Sequence, residues 1–278
     1  MKIGYQGVEG AFSYIASKQI FPNEDCISFK SFYDVLEAIE NNKIDCGVLP
    51  IENSYAGRVA GMHNLFKDFC HKNLFIIAEK LLKVEHCLCG LKNAKIENIT
   101  HIFSHEQALM QCQKNISKML PNAKSVAKEN TAMSAQFVAE SKNINYSAIC
   151  SKDACKKYDL QVLQDNFQDS NDNYTLFVVV SKKQKFIPKN SKNVLTSLLF
   201  ELKNTSGVLY NSLKCFAEQN IDLVKIESYI PTGSSKSAMF FITIRGNTED
   251  ENIKIALQNL KNSAKNIYSF GSYFSDRK

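Results

Sequence analysis

Residues 3–51, IGYQGVEGAFSYIASKQIFPNEDCISFKSFYDVLEAIENNKIDCGVLPI, read as strand, helix, strand, helix, strand, and that alternation decides the fold class. The apolar run at 3–5 is a strand, and a helical pattern covers about 11–20. A second strand covers 26–29. Ser31-Phe-Tyr-Asp34 then has the form of a capping box and opens a helix to about residue 41. Residues 45–51 are the next strand. Repeated βα units predict an α/β fold with a largely parallel sheet, with ligands beyond the carboxyl ends of its strands.

The same grammar extends to residue 181. A helix is expected around 62–70, followed by a long β-rich stretch over 74–89 that crosses between two halves. Further strands fall at 102–104, 125–127, 148–150, 160–163 and 174–181, with helices near 106–119, 131–141 and 152–158. The order then changes. Lys182, Lys183, Lys185, Lys189 and Lys192 occur with no acid among them, which marks residues 182–193 as a basic linker. Beyond it the pattern is strand 194–201, helix 206–219, strands 221–230 and 238–245, helix 249–262 and strand 266–273. That is βαββαβ, the ferredoxin-like arrangement. Asn220 is placed to end the first of these helices, and Pro231-Thr-Gly233 supplies turn chemistry between the middle strands.

Composition narrows the classes. The 278 residues are 44% apolar and 22% charged, enough for two domains with their own cores. The longest purely apolar runs, at 74–78 and 176–180, fall well short of the roughly 20 residues of a membrane-spanning helix. A strand beginning right after Met1 and Lys2 leaves no leader, so a cytoplasmic protein is expected. The net charge of +6 is lopsided: residues 1–180 carry 19 basic and 20 acidic side chains, residues 181–278 carry 15 and 8. With only Arg58, Arg245 and Arg277 available as guanidinium forks, neither nucleic acid nor membrane is an expected partner. Nine cysteines, an odd count without a CxxC, read as reduced thiols rather than a disulfide framework or a metal site.

Several strand ends carry polar side chains. Gly4-Tyr-Gln-Gly7-Val-Glu-Gly10 is a GxxGxxG loop rather than a dinucleotide loop, and serves either as an anion cradle or as a tight turn. Pro50-Ile-Glu-Asn53-Ser54, Ser104-His105-Glu106-Gln107, Glu129-Asn130-Thr131 and Asp172-Asn-Tyr-Thr175 place small polar groups at successive strand mouths. Each could cap a helix or face a ligand. His105 is either an acid–base group or a hydrogen-bonded structural histidine. No nucleophilic triad is legible.

These residues carry a family resemblance. KIGYQGVEGAFSYIA, PIENSYAGRV, SHEQALMQC, NTAMSAQFVA, AICSKDACKKYDL and DNYTLF, in that order, resemble prephenate dehydratase, and GVLYNSLKCFAEQNIDLVKIES resembles its ACT regulatory domain. The resemblance implies a bilobed, periplasmic-binding-protein-like catalytic domain over 1–181. Its two α/β subdomains would be about 1–80 with 160–181, and 81–159. The linker 182–193 and an ACT domain over 194–278 follow. It implies conversion of prephenate to phenylpyruvate in L-phenylalanine biosynthesis, a hydro-lyase reaction that draws its drive from aromatisation and needs no cofactor or metal. Arogenate dehydratase and a non-catalytic amino-acid sensor are the alternatives.

Residue by residue, the resemblance implies that Thr175 hydrogen-bonds the departing hydroxyl and that Glu129 is an acid if burial raises its pKa. Asn53, Ser104 and Gln111 would bind substrate, with Ser104 and Gln111 on one helical face. The family signature Thr-Arg-Phe is Thr175-Leu176-Phe177 here, and Arg58 is the nearest substitute for the missing guanidinium. In the regulatory domain Gly207, Val208, Leu209, Glu227 and Ser228 match the phenylalanine-binding motifs, while Tyr229-Ile230 departs from them. Such effector pockets form between two copies, so a homodimer or homotetramer is implied.

Overall fold

The computed structural model describes residues 1–203, 205–230 and 238–277; the turn proposed at Pro231 to Gly233 lies outside the described residues. In chain order the elements are β1 (Lys2–Gln6), α1 (Phe12–Ile20), β2 (Asp25–Phe29), α2 (Phe32–Glu40), β3 (Cys46–Asn53), β4 (Gly57–Arg58), α3 (Met62–Phe69), β5 (Phe75–Lys83), β6 (Cys87–Gly90), β7 (His101–His105), α4 (Glu106–Gln111), α5 (Gln113–Met119), β8 (Lys124–Lys128), α6 (Thr131–Ser141), β9 (Tyr146–Cys150), α7 (Lys152–Lys157), β10 (Gln161–Gln164) and β11 (Tyr174–Ser181). They continue with β12 (Val194–Leu202), α8 (Val208–Ala217), β13 (Leu223–Tyr229), β14 (Met239–Arg245), α9 (Glu251–Leu260) and β15 (Ala264–Phe274).

Three sheets result. The first has the order β2-β1-β3-β11-β5, with β4 paired to β3; the second is β10-β6-β9-β7-β8; the third is β13-β14-β12-β15. The α/β class and the ferredoxin-like βαββαβ order are as read from the sequence. The chain divides into two compact units. One comprises Met1–Asp34, Pro50–Arg58 and Leu81–Phe177, the other Val35–Leu49, Val59–Lys80 and Val178–Lys278.

In the first unit, side-chain alternation sorts the second sheet into two apolar faces. Cys87, Cys89, Phe103, Ala148 and Cys150 pack under α6 and α7 with Ala132, Ala135, Val138, Ala154 and Cys155. Leu88, Ile102 and Ile149 face the other way, toward Ala108, Leu109, Cys112 and Ile116. The glycine loop closes by contact rather than as a cradle. Gly10 takes φ +90°, and a Cβ there would lie 2.7 Å from the Ala154 Cα. The Ser151 hydroxyl donates to the Gly10 carbonyl at 2.7 Å. The capping box forms as written: Ser31 N–H donates to the Asp34 carboxylate at 3.0 Å and Asp34 N–H to the Ser31 hydroxyl at 3.1 Å.

Two local readings are corrected. The helix expected over 106–119 is broken at Cys112, where φ −116° and ψ 10° end α4. The Asp169 carboxylate captures the N–H groups of Lys114 and Asn115, at 2.9 and 3.0 Å, at the start of α5. The strand at 160–163 does not return to the first sheet. It is β10, antiparallel to β6 through Gln161↔Gly90 and Val162↔Cys89, and the return comes at β11.

In the second unit, Leu198, Phe200, Phe216, Ile242 and Ile253 form the core between the third sheet and α8 and α9. On the opposite face of that sheet, Phe66 from α3 stacks on Phe241 and packs against Phe270, at ring-centroid distances of 5.7 and 5.1 Å. The basic stretch has no regular structure but is tethered: Lys182 donates to the Glu40 carbonyl, and the Asn247 amide to the carbonyls of Ile187 and Pro188. Asn220 adopts φ +52° at the end of the α8 region.

Candidate active site

The site of the first unit is built on Asn53, the last residue of β3. Its Oδ1 accepts N–H groups from Tyr55 and Ala56, both at 3.0 Å, and the Gln107 amide at 3.2 Å. Three acceptances on one oxygen fix the amide's orientation, so its Nδ2 must face the other way. The two N–H groups there are shared among three acceptors, Asn173 Oδ1 at 2.9 Å, the Tyr174 carbonyl at 3.1 Å and Thr175 Oγ1 at 3.0 Å. The entry of β11 is thus stitched to the exit of β3.

The network continues away from the strands. Asn173, 1% exposed, donates through Nδ2 to Gln111 Oε1 at 2.9 Å. The same oxygen lies 3.0 Å from His86 Nε2. An oxygen already accepting from Asn173 can only accept again, so His86 carries its proton on Nε2. His86 Nδ1 is buried and has no hydrogen-bond partner among the described residues. Burial, opposed by the Gln111 hydrogen bond, holds this imidazole below its ordinary pKa and keeps it neutral. The Gln168 side chain accepts the His86 backbone N–H at 2.8 Å and so fixes the ring's position from behind.

Of these side chains Gln111, Gln168 and Asn173 line a cavity of about 370 Å³, together with Tyr55, Gln107, Met110, Lys114, Asp169 and Ser170, while Asn53, His86 and Thr175 stand behind that lining. With the Gln111 Oε1 held by His86 and Asn173, its Nε2 is left to serve the cavity. Lys114 brings an ammonium group to the lining. The Asp169 carboxylate is engaged by the α5 N–H groups, which moderates the one negative charge there. The arrangement offers amide donors, one cation and a hydroxyl, a set suited to a small polyanion whose hydroxyl must depart.

The expected residues divide. Asn53, Gln111 and Thr175 are brought into one network. Ser104 is not in it: fully buried, its hydroxyl donates to the Ile149 carbonyl at 2.6 Å and ties β7 to β9. Ser104 lies in a strand, so the shared helical face with Gln111 does not exist. Glu129 is exposed in the turn between β8 and α6, where the condition set for it, burial, is unmet. Arg58 is exposed in β4, opposite Glu52, and does not line the cavity. His105 resolves as a cap, its Nδ1 accepting the Gln107 N–H at 3.3 Å.

Leu176, at the signature position, is 4% exposed and points to the other side of β11 from Thr175. In the second unit, Gly207 precedes α8 with φ +74°. Val208 packs against the core of the third sheet, while Leu209 is 38% exposed. Glu227 pairs with Lys225 at 3.0 Å, and Ser228 is exposed on β13.

Sequence reading missed His86, Asn173 and Lys114. Asn173 stood inside a quoted strand-end motif, whereas His86 and Lys114 had no local signal because distant segments place them. Among the described residues no helix is long and apolar enough to cross a membrane.

A family model described as prephenate dehydratase matches residues 3–185. The chain is 38% identical over 244 residues to a prephenate dehydratase of Methanocaldococcus jannaschii, across 87% of this chain and 85% of that one. It is 32% identical over 296 residues to arogenate dehydratase 2 of Petunia hybrida, across 99% and 72%. The crystal structure of a prephenate dehydratase from Arthrobacter aurescens in complex with L-Phe matches with a TM-score of 0.90 and 25% identity, over 99% of this chain and 90% of that one. The family model spans most of the chain and takes in every residue of the Asn53 network: this chain is a member of the prephenate dehydratase family.

Proposed function

We propose that this chain is a prephenate dehydratase, converting prephenate to phenylpyruvate, with the Asn53–Asn173–Gln111 network and its cavity as the active site. As the ring carboxylate departs as CO2, its bonding pair enters the ring. The ring expels the hydroxyl, which takes up a proton and leaves as water. Lys114 and the Gln111 amide hold the substrate carboxylates. Thr175 donates to the departing oxygen.

The observation that carries this reading is the Asn53 N–H donated to Thr175 Oγ1. A hydroxyl that already accepts keeps its own proton for another partner, and among the described residues that proton has no acceptor. A threonine is too weak an acid to give that proton up outright, so its work is orientation and polarisation of the leaving group. One such placed donor supplies about 2.7–4 kcal/mol of transition-state stabilisation.

The domain reading accompanies this proposal. Residues 1–181 form the catalytic part, with 182–193 as linker. Residues 194–278 act as an ACT domain that binds L-phenylalanine through Gly207, Val208, Leu209, Glu227 and Ser228 in a cytoplasmic dimer or tetramer. The 32% identity to a plant arogenate dehydratase supports a second substrate reading, in which an amino group stands where prephenate has its keto oxygen.

The test is conversion by the purified protein of prephenate and, in parallel, arogenate, each with and without phenylalanine. Prephenate turnover suppressed by phenylalanine is expected. Preference for arogenate would transfer the reading to that substrate. Phenylalanine binding without turnover of either would make the chain a sensor.

A further inference from the structure

Away from the cavity, the second sheet brings together thiols that are far apart in sequence. Cys87 and Cys89 are two residues apart on β6 and project to the same face. The β6–β9 register sets Cys87 opposite Cys150. Cys87 Sγ lies 3.3 Å from Cys89 Sγ, and Cys150 Sγ lies 3.6 Å from Cys89 Sγ. All three sulfurs fall within 4.8 Å of one another, and all three residues are fully buried. Cys155, one turn into α7 and 2% exposed, packs in the same apolar layer; its thiol donates to the Leu160 carbonyl at 3.4 Å and must turn from that partner to reach an ion held by the other three.

Sulfurs held about 2.3 Å from a tetrahedral zinc ion stand roughly 3.8 Å apart, close to the 3.3 and 3.6 Å that already separate Cys89 from Cys87 and from Cys150. A strand pair and a packed helix supply the donors, so little backbone ordering is left for the ion to impose. Neither CxC nor CxxxxC has a finger-like spacing, so no metal signal is legible in the sequence; the strand register creates the site.

We propose that Cys87, Cys89 and Cys150, with Cys155 as fourth donor, bind one soft, thiophilic cation of the zinc class in the core of the first unit. Binding displaces the thiol protons, and the four thiolates more than offset the divalent charge, leaving the site net negative inside an otherwise apolar layer. His86 immediately precedes Cys87, so the ion fastens the start of the strand that positions the Gln111 partner. Its role is structural; the reaction does not pass through it.

The test uses the full-length, reduced, chelator-treated protein titrated with Cd2+ and followed by thiolate-to-metal charge-transfer absorption, with native mass spectrometry after Zn2+ addition. One equivalent is expected to saturate the band and to appear as a single zinc adduct. Cys89→Ser and Cys150→Ala are each expected to weaken zinc at least 100-fold in chelator competition. Cys26→Ala, which removes a half-buried thiol on β2, is expected to change nothing. No saturating band in the unsubstituted protein would reduce the cluster to ordinary buried thiols and overturn the proposal. So would a band that survives Cys89→Ser or vanishes in Cys26→Ala.

Discussion

Asn53 Nδ2 donates to Thr175 Oγ1 at 3.0 Å, joining the end of β3 to the second residue of β11. The bond does two things at once: it fixes the hydroxyl oxygen and leaves the hydroxyl proton uncommitted. Thr175→Ala is therefore expected to lower kcat by about 10²–10³. Stability should change by no more than about 1 kcal/mol, because the Asn53 amide retains Asn173 and the Tyr174 carbonyl. Thr175→Ser should recover most of the rate. Steady-state kinetics with a urea melt checks both, and a near-normal kcat for the alanine variant would remove Thr175 from the reaction.

Asn173 is the bridge between the two halves of the network, accepting from Asn53 and donating to Gln111. It is buried, so Asn173→Ala strands partners on both sides and is expected to cost about 1–3 kcal/mol of stability. Gln111 also loses one of the two groups that hold its amide, so KM should rise along with a fall in kcat. A variant that lost stability but kept both kinetic constants would confine Asn173 to a structural role.

Leu176 stands where the family signature has arginine, and a missing guanidinium fork suggests that Leu176→Arg would tighten substrate binding. The geometry argues the opposite. Leu176 is 4% exposed and lies on the side of β11 away from Thr175. An arginine there would bring a charge into a packed layer without reaching the cavity. We expect a loss of more than about 2 kcal/mol and no fall in KM. A lowered KM with unchanged Tm would show that the side chain finds the substrate after all.

The order of elements was legible because it is local. The Ser31–Asp34 capping box, the strand at 45–51 and the βαββαβ tail each rest on neighbours within a few residues. What failed was set from a distance. Ser104 looked like a strand-mouth hydroxyl, but β7 pairing turns it toward Ile149, 45 residues on. The helix expected over 106–119 is broken by Asp169, which no window around residue 112 contains. The site followed the same rule. Asn53 and Thr175 could be picked out by their motifs, whereas His86 acquires its place only when Gln168 and Gln111 close around it.

His86 gives a pH dependence with a defined sign. Burial lowers its folded pKa below the unfolded value of 6.5, so the unfolded chain binds the proton more readily than the folded one. The stability this histidine contributes is complete above pH 6.5 and drains away as the pH falls from there toward the depressed folded pKa. One proton taken up on unfolding corresponds to about 1.36 kcal/mol per pH unit. Denaturant melts below pH 6.5 should therefore show a steeper acid loss in the unsubstituted protein than in His86→Gln, which has no proton to gain. Parallel losses in the two proteins would mean that this imidazole ionises freely in the fold.

At the far end of the chain, Glu79 on β5 has a fully buried side chain that accepts from Arg277 Nε at 3.1 Å and Nη2 at 3.0 Å. The Ser275 hydroxyl at 2.8 Å and the Asp276 N–H at 3.3 Å complete its shell. The fork latches the segment after β15 onto β5 within the second unit. Removing the arginine leaves a buried carboxylate with two neutral or backbone donors, and an uncompensated buried charge costs about 3–5 kcal/mol. The Arg277 side chain is 24% exposed, so water softens the loss and the lower end of that range is expected for Arg277→Ala. Arg277→Lys should restore only part of it, since an ammonium cannot engage the carboxylate through two parallel donors. Glu79→Gln together with Arg277→Ala removes both charges, and should be more stable than Arg277→Ala alone. Urea unfolding of the three variants measures each step; equal stability of Arg277→Ala and the unsubstituted protein would mean that the latch contributes nothing to the fold.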